Sequence, residues 1–171
     1  DMRQYYTIDA LLTNIIDIIS NDNNEVRDFV LLASSTKLLR GIDTIYRQKT
    51  NEETEISFIS TEALERLKQI HNVTDEKTAN WKFNRDFEAL ERTRKQLFTT
   101  DKRCLKISTI QSFKGWESPS VIVILESDFA LPNTTYRPMS PQTIYTAITR
   151  ARENMYIINI GNDTYHKFFY N

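Results

Sequence analysis

The stretch KISTIQSFKGWESPSVIVILES, Lys106–Ser127, decides the fold. Its two ends belong to the β-rich runs CLKISTIQS and SVIVILES. Between them lies a polar segment that carries Lys114, Gly115, Trp116 and Glu117. Gly115 is one of only three glycines in 171 residues, with Gly41 and Gly161. A glycine at this point lets the chain turn sharply and lets backbone approach a ligand. The pattern predicts strands over Leu105–Gln111 and Val121–Glu126, joined by a loop that holds functional groups.

Working outward, SPQTIYTAITRARE predicts a helix with a Ser-Pro start, and NMYIINIG a last strand, Met155–Ile160. Upstream, Ile8, Leu11, Leu12, Ile15, Ile16 and Ile19 recur at helical spacing until NDNN breaks the pattern. FVLLAS (Phe29–Ser34) is a continuous apolar run, which suits a strand buried on both faces. STKLLRGIDTIYRQ reads as a helix, EISFIS (Glu55–Ser60) as a strand and STEALERLKQI as a short helix with a Ser/Thr start. Residues 72–103 mix both charges with Trp81, Phe83, Phe87, Leu90, Leu97 and Phe98, and predict a helix near Asn84–Leu97 as an insertion or flank. Strands alternating with helices argue for one α/β domain over 1–171 with a mostly parallel sheet. Function in such sheets gathers at the carboxyl ends of strands, and QSFKGWES is expected there.

The bulk numbers exclude several classes. Apolar residues make up 40% of the chain, enough for a sizeable core, and the net charge of −1 gives no global signature of nucleic-acid binding. One cysteine, Cys104, allows neither an internal disulfide nor a multi-cysteine metal site, and His71 and His166 are too few for a zinc centre. No metal site and no membrane span are expected, and a reducing, cytoplasmic location is the simplest reading. The first residue is Asp1, so the chain is read as a piece of a longer protein.

Two segments carry a family resemblance. KISTIQSFKGWESPSVIVILES resembles motif V of superfamily 1 helicases of the UvrD/Rep type. YTAITRA (Tyr145–Ala151) resembles the aromatic–small–Thr-Arg-Ala core of motif VI. Their order and spacing also fit. The resemblance implies a three-layer RecA-like domain, the second, C-terminal motor domain of an ATP-dependent DNA helicase. ATP and Mg2+ would bind between it and an N-terminal RecA-like domain of the same protein. No G-x-x-x-x-G-K-[ST] loop occurs here, so this chain alone is expected to be inactive. The partners implied are single-stranded or partly duplex DNA and that first domain, in a monomeric protein. UvrD-type chains usually have an arginine where Ser34 follows the first strand, and commonly a histidine where this chain has Gln111.

The resemblance also assigns roles. Arg150 corresponds to the arginine finger, whose planar, permanent charge suits the terminal phosphate in phosphoryl transfer. Glu117 corresponds to the carboxylate that accepts a hydrogen bond from the ATP ribose, beside the turn at Gly115. Thr109, Gln111, Ser112 and Lys114 face nucleic acid, with Ser108 a weaker candidate. Arg152 is read as an ordinary arginine on the same helix, Trp116 as packed against the domain, and Tyr145 as packing. The charges of 75–103 suit a solvated helix face, or a track for nucleic acid built on Trp81, Lys82, Arg85, Arg92, Arg94 and Lys95. LPNTTYRPMSP reads as a surface loop. The rival class is a non-catalytic nucleic-acid-binding or docking module that keeps the fold but not the motor.

Overall fold

The computed structural model describes residues 8–74, 80–126 and 139–169. In chain order the elements are α1 (Ile8–Asn21), β1 (Phe29–Ala33), α2 (Thr36–Thr50), β2 (Thr54–Ile56), α3 (Thr61–His71) and α4 (Trp81–Leu97). After them come β3 (Leu105–Thr109), β4 (Ser118–Leu125), α5 (Pro141–Ile148), β5 (Ala151–Asn159) and α6 (Asp163–Phe169). All five strands run parallel, in the order β2-β3-β1-β4-β5. This is the α/β, three-layer RecA-like arrangement expected from the sequence. No helix among the described residues is long and apolar enough to cross a membrane.

The central strand explains the layers. β1 reads FVLLA and is buried throughout, so it lies between two covered faces. Phe29, Leu31 and Ala33 point to one face, where Leu11, Leu12 and Ile15 of α1 meet Leu39, Ile42 and Tyr46 of α2. Val30 and Leu32 point to the other, where Phe98, Ile110, Phe113, Ile144 and Ala147 cover them. A third, smaller cluster joins α3 and α4 through Ile59, Leu64, Leu67 and Phe83. Four helix starts are capped by side chains, and that of Asn80 moves the start of α4 from the expected Asn84 to Trp81. Ser35, Ser60, Asn80 and Ser140 each accept a hydrogen bond from an amide three residues on.

Several expected boundaries move. The run from Leu105 leaves the sheet at Thr109, two residues early, because Phe113 N–H donates to the Thr109 carbonyl at 3.0 Å and winds 110–115 into turns. β2 is only Thr54–Ile56, after which Ser57 N–H still reaches the Ile107 carbonyl. The helix at 140–153 stops at Ile148. There Arg150 N–H donates to the Ala147 carbonyl, and Ala151 pairs with Ser118 as β5 begins. Arg152 therefore lies on a strand, and its expected place on the helix of Arg150 is corrected. A 3-10 turn at Val26–Asp28 and helix α6 have no counterpart in the reading of the sequence. The loop read at LPNTTYRPMSP falls mostly outside the described residues.

One connection shapes the site. β3 and β4 are parallel, with β1 between them, yet only residues 110–117 join them. Parallel strands are usually joined through a helix. Here Ile110 and Phe113, both fully buried, stand in for one and fill the face above Val30 and Leu32. Phe113→Ala should therefore cost about 3–5 kcal/mol, seen as a lower urea midpoint with little change in m-value.

Candidate functional site at the start of the β4–β5 ladder

The crossover runs from the carboxyl end of β3 to the amino end of β4, so its residues divide between two edges of the sheet. At the first edge, Thr109 Oγ1 accepts from Ser112 N–H at 3.1 Å and donates to Ser112 Oγ at 2.9 Å. Thr109 thus caps the turn, and Gln111 and Lys114 project into solvent. Ser108 is withdrawn as a candidate. It is fully buried, its hydroxyl is 2.7 Å from that of Ser57, and it also donates to the Thr109 carbonyl.

At the second edge the chain turns through Gly115, with φ 95°. A Cβ added there would meet nothing within 4 Å, so it is the left-handed backbone and not crowding that favours glycine. Trp116 follows, 40% exposed, its ring set edge-on against Phe98 at 6.2 Å. Glu117 is exposed and immediately precedes β4.

Arg150 immediately precedes β5, and the first pairing of the two strands brings Glu117 and Arg150 side by side. Ser118 N–H donates to the Arg150 carbonyl at 3.0 Å, and Ser118 pairs with Ala151. The guanidinium of Arg150 makes three further bonds. Nε donates to the Thr146 carbonyl at 3.0 Å, Nη2 to Thr149 Oγ1 at 3.0 Å and Nη1 to the Trp116 carbonyl at 3.2 Å. The arginine thus closes the last turn of α5 and clasps the peptide next to Glu117. Both groups lie at the amino ends of parallel strands. The expectation that the whole of QSFKGWES sits at a carboxyl end therefore fails for Glu117, which lies at the amino end of β4.

The edge combines an exposed carboxylate with a permanently charged fork that already bonds to carbonyl oxygens. Such a pair can accept from a hydroxyl and donate to an oxyanion. No group of three or more His, Cys, Asp or Glu is gathered for a metal ion among the described residues.

Three features were missed in the sequence. Thr149 supports the Arg150 fork and donates to the Tyr145 carbonyl, while Tyr145 itself is 71% exposed, contrary to its reading as packing. Asp22, in the loop after α1, accepts from Tyr156 Oη and Ser120 Oγ, and these hydrogen bonds hold its carboxyl below the usual range. Glu126, at the carboxyl end of β4, is 9% exposed, and its Oε1 accepts from Ser34 N–H at 2.6 Å and Ser35 N–H at 2.7 Å. The carboxylate occupies the amino end of α2, beside the place where an arginine was missed. Burial pushes its pKa up, against the pull of the two amides. The only sequence signal was a lone acid at the end of an apolar run.

The fold is a RecA-like α/β domain of the kind found in helicases. The family model for the viral superfamily 1 RNA helicase core domain matches residues 23–159, and the chain belongs to that family. No curated protein matches the chain.

Glu126 gives a direct test of local energetics. A single oxygen takes both amides, so Glu126→Gln can keep both bonds without a buried charge. Glu126→Ala leaves the Ser34 and Ser35 amides to solvent, since Ser34 is exposed and Ser35 half-buried, and should cost about 0.5–1.5 kcal/mol. Because folding raises the Glu126 pKa, the proton it takes up stabilises the fold toward acid, and that contribution is lost as pH rises through the folded value. The Gln variant should accordingly match or exceed wild type at neutral pH, and chemical unfolding of the three proteins across pH checks this.

Proposed function

We propose that the chain is the second motor domain of an ATP-dependent superfamily 1 helicase, coupling ATP hydrolysis to movement along a single strand. The observation that carries this reading is the joining of Glu117 and Arg150 by the Ser118–Ala151 pairing. ATP is the substrate, bound between this domain and a first motor domain of the same protein. Glu117 accepts a hydrogen bond from the ribose. Arg150 neutralises charge that develops on the terminal phosphate, so hydrolysis requires the two domains to close. The exposed carboxylate, the open turn at Gly115 and the donor fork of Arg150 suit such a nucleotide. Mg2+ is assigned mainly to the first domain. Alone, this chain then lacks the phosphate contacts needed for turnover.

At the opposite edge, Thr109, Gln111, Ser112 and Lys114 meet the backbone of the strand, Lys114 through charge and the others through neutral hydrogen bonds. The UvrD-like form of the two motifs supports DNA, single-stranded or partly duplex. A second reading, RNA, is favoured by the description of the matched family. Binding to deoxy and ribo oligonucleotides of one sequence separates them. A monomer working in the cytoplasm completes the proposal.

In the full-length protein, Arg150→Ala should lower ATP turnover by roughly 10³-fold or more, with a much smaller loss of nucleotide affinity. Arg150→Lys should rescue poorly, since an ammonium lacks the planar fork. Arg152→Ala, exposed on β5, should stay within a few-fold of wild type. Near-normal turnover in Arg150→Ala would favour the non-catalytic module instead.

Lys114→Ala should weaken single-strand binding and reduce the magnitude of its log-log salt slope by about 0.7. Titrations at several salt concentrations measure that slope. An unchanged slope returns Lys114 to a solvated turn.

A further inference from the structure

Helix α4 has two faces with different fates. Phe83 and Phe87 pack against α3, and His71 fixes the start of the helix through its ring on Phe83 and a 3.1 Å contact with Asp86. The opposite face carries Trp81, Arg85, Glu88 and Arg92, at i, i+4, i+7 and i+11 and hence on one stripe. All four are exposed, Trp81 at 65%, and Glu88 is the one acid among them. The Arg85 guanidinium lies 5.4 Å from the Trp81 ring centroid and Lys82 Nζ 5.9 Å from it. Arg85 pairs with Asp86 at 2.9 Å and Lys95 with Glu91 at 3.6 Å. Lys82, Arg92 and Arg94 make no ion pair among the described residues, and Glu88 is the remaining acid on the helix. Five cations against three acids leave α4 positive on a chain of net charge −1.

The other end of α4 reaches the crossover. Phe98 follows directly and sets its ring edge-on against Phe113 and Trp116, each at 6.2 Å. The basic helix therefore ends on the segment that carries Gln111, Ser112 and Lys114. Its 17 residues span about 25 Å. A flat, exposed aromatic ring beside cations matches an unstacked base with its phosphates, a match that duplex, with its bases already stacked, does not offer.

We propose that the Trp81–Arg85–Arg92 face of α4 is a second contact site for single-stranded nucleic acid, continuous with the crossover loop. One base stacks on Trp81, and neighbouring phosphates are met by Lys82, Arg85 and Arg92. This goes beyond the motor reading but rests on it for the strand at Lys114. Stacking and phosphate contact use groups common to DNA and RNA, so both should respond alike.

The test compares wild type, Trp81→Ala, Trp81→Phe, the Arg85→Ala/Arg92→Ala double variant and Lys114→Ala in the full-length protein. The probes are short and long oligothymidylate and oligouridylate. Trp81→Ala should lose about tenfold in affinity for the long strands, much less for the short ones, and Trp81→Phe should recover most of it. The double variant should reduce the salt slope by about 1.4. Basal ATPase without nucleic acid should be unchanged in all α4 variants, which, with circular dichroism, reports intact folding. If the α4 variants bind long strands like wild type while Lys114→Ala does not, the α4 proposal falls and the motor reading stands. If Lys114→Ala is also silent, the α4 proposal falls together with the strand contact at Lys114, and the motor reading is decided by turnover of Arg150→Ala. If Trp81→Ala is silent and polyglutamate competes as well as oligothymidylate, the face is a general polyanion surface and the proposal is overturned.

Discussion

The hydrogen bond from Ser118 N–H to the Arg150 carbonyl is the constraint on which the site depends. It starts the β4–β5 ladder, the most extensive strand pairing in the sheet, which runs from Ser118↔Ala151 to Leu125↔Asn159. Whatever precedes β4 and β5 is therefore held side by side by backbone, with no need for a flexible loop to bring it together. Glu117 and Arg150 are those residues. A one-residue register shift between Ser118 and Ser120 separates this first pair from the rest of the ladder, so the juxtaposition rests on the Ser118–Arg150 bond itself and not on the register beyond it.

The same sheet separates two kinds of chemistry. Neutral hydroxyls and an amide gather where β3 ends, and a carboxylate and guanidinium gather where β4 and β5 begin. The eight-residue crossover is the link, anchored in its middle by Phe113 and closed at its far end by Arg150 on the Trp116 carbonyl. A packed aromatic in a short connection transmits displacement, because close-packed side chains have little slack to absorb it. At the carboxyl edge, Glu126 does for α2 what a bound anion does at other helix starts: it satisfies two orphan amides.

The sheet was legible because its strands are apolar runs bounded by polar punctuation, and because serines mark the starts of α3 and α5; the start of α4, expected near Asn84, lies at Trp81 because Asn80 caps it. The pair Glu117 and Arg150 was legible only through motif resemblance; spacing alone leaves both as surface residues. What failed was the end of the helix containing YTAIT. TRARE has good helix formers, but the partner amide of Ser118, distant in sequence, captures the Arg150 carbonyl and starts a strand. Tertiary pairing overrode local propensity. Asp22 and Glu126 were hidden for the same reason, since their partners lie more than 90 residues away in sequence. Ser108 was misread because alternation along β3 turns it inward, onto Ser57.

Arg150 is also the place where structure and proposed mechanism meet. Its three nitrogens are all engaged, two with carbonyls and one with the Thr149 hydroxyl. Each such bond from a charged donor is worth about 1.5–3 kcal/mol, and together they hold the fork in one orientation. A guanidinium carries five N–H donors, so two remain for a phosphate with all three bonds intact. In the proposed motor the fork would therefore meet the terminal phosphate already oriented. Its bond to the Trp116 carbonyl would tie that phosphate to the peptide beside Glu117 and, through it, to the segment that carries Lys114.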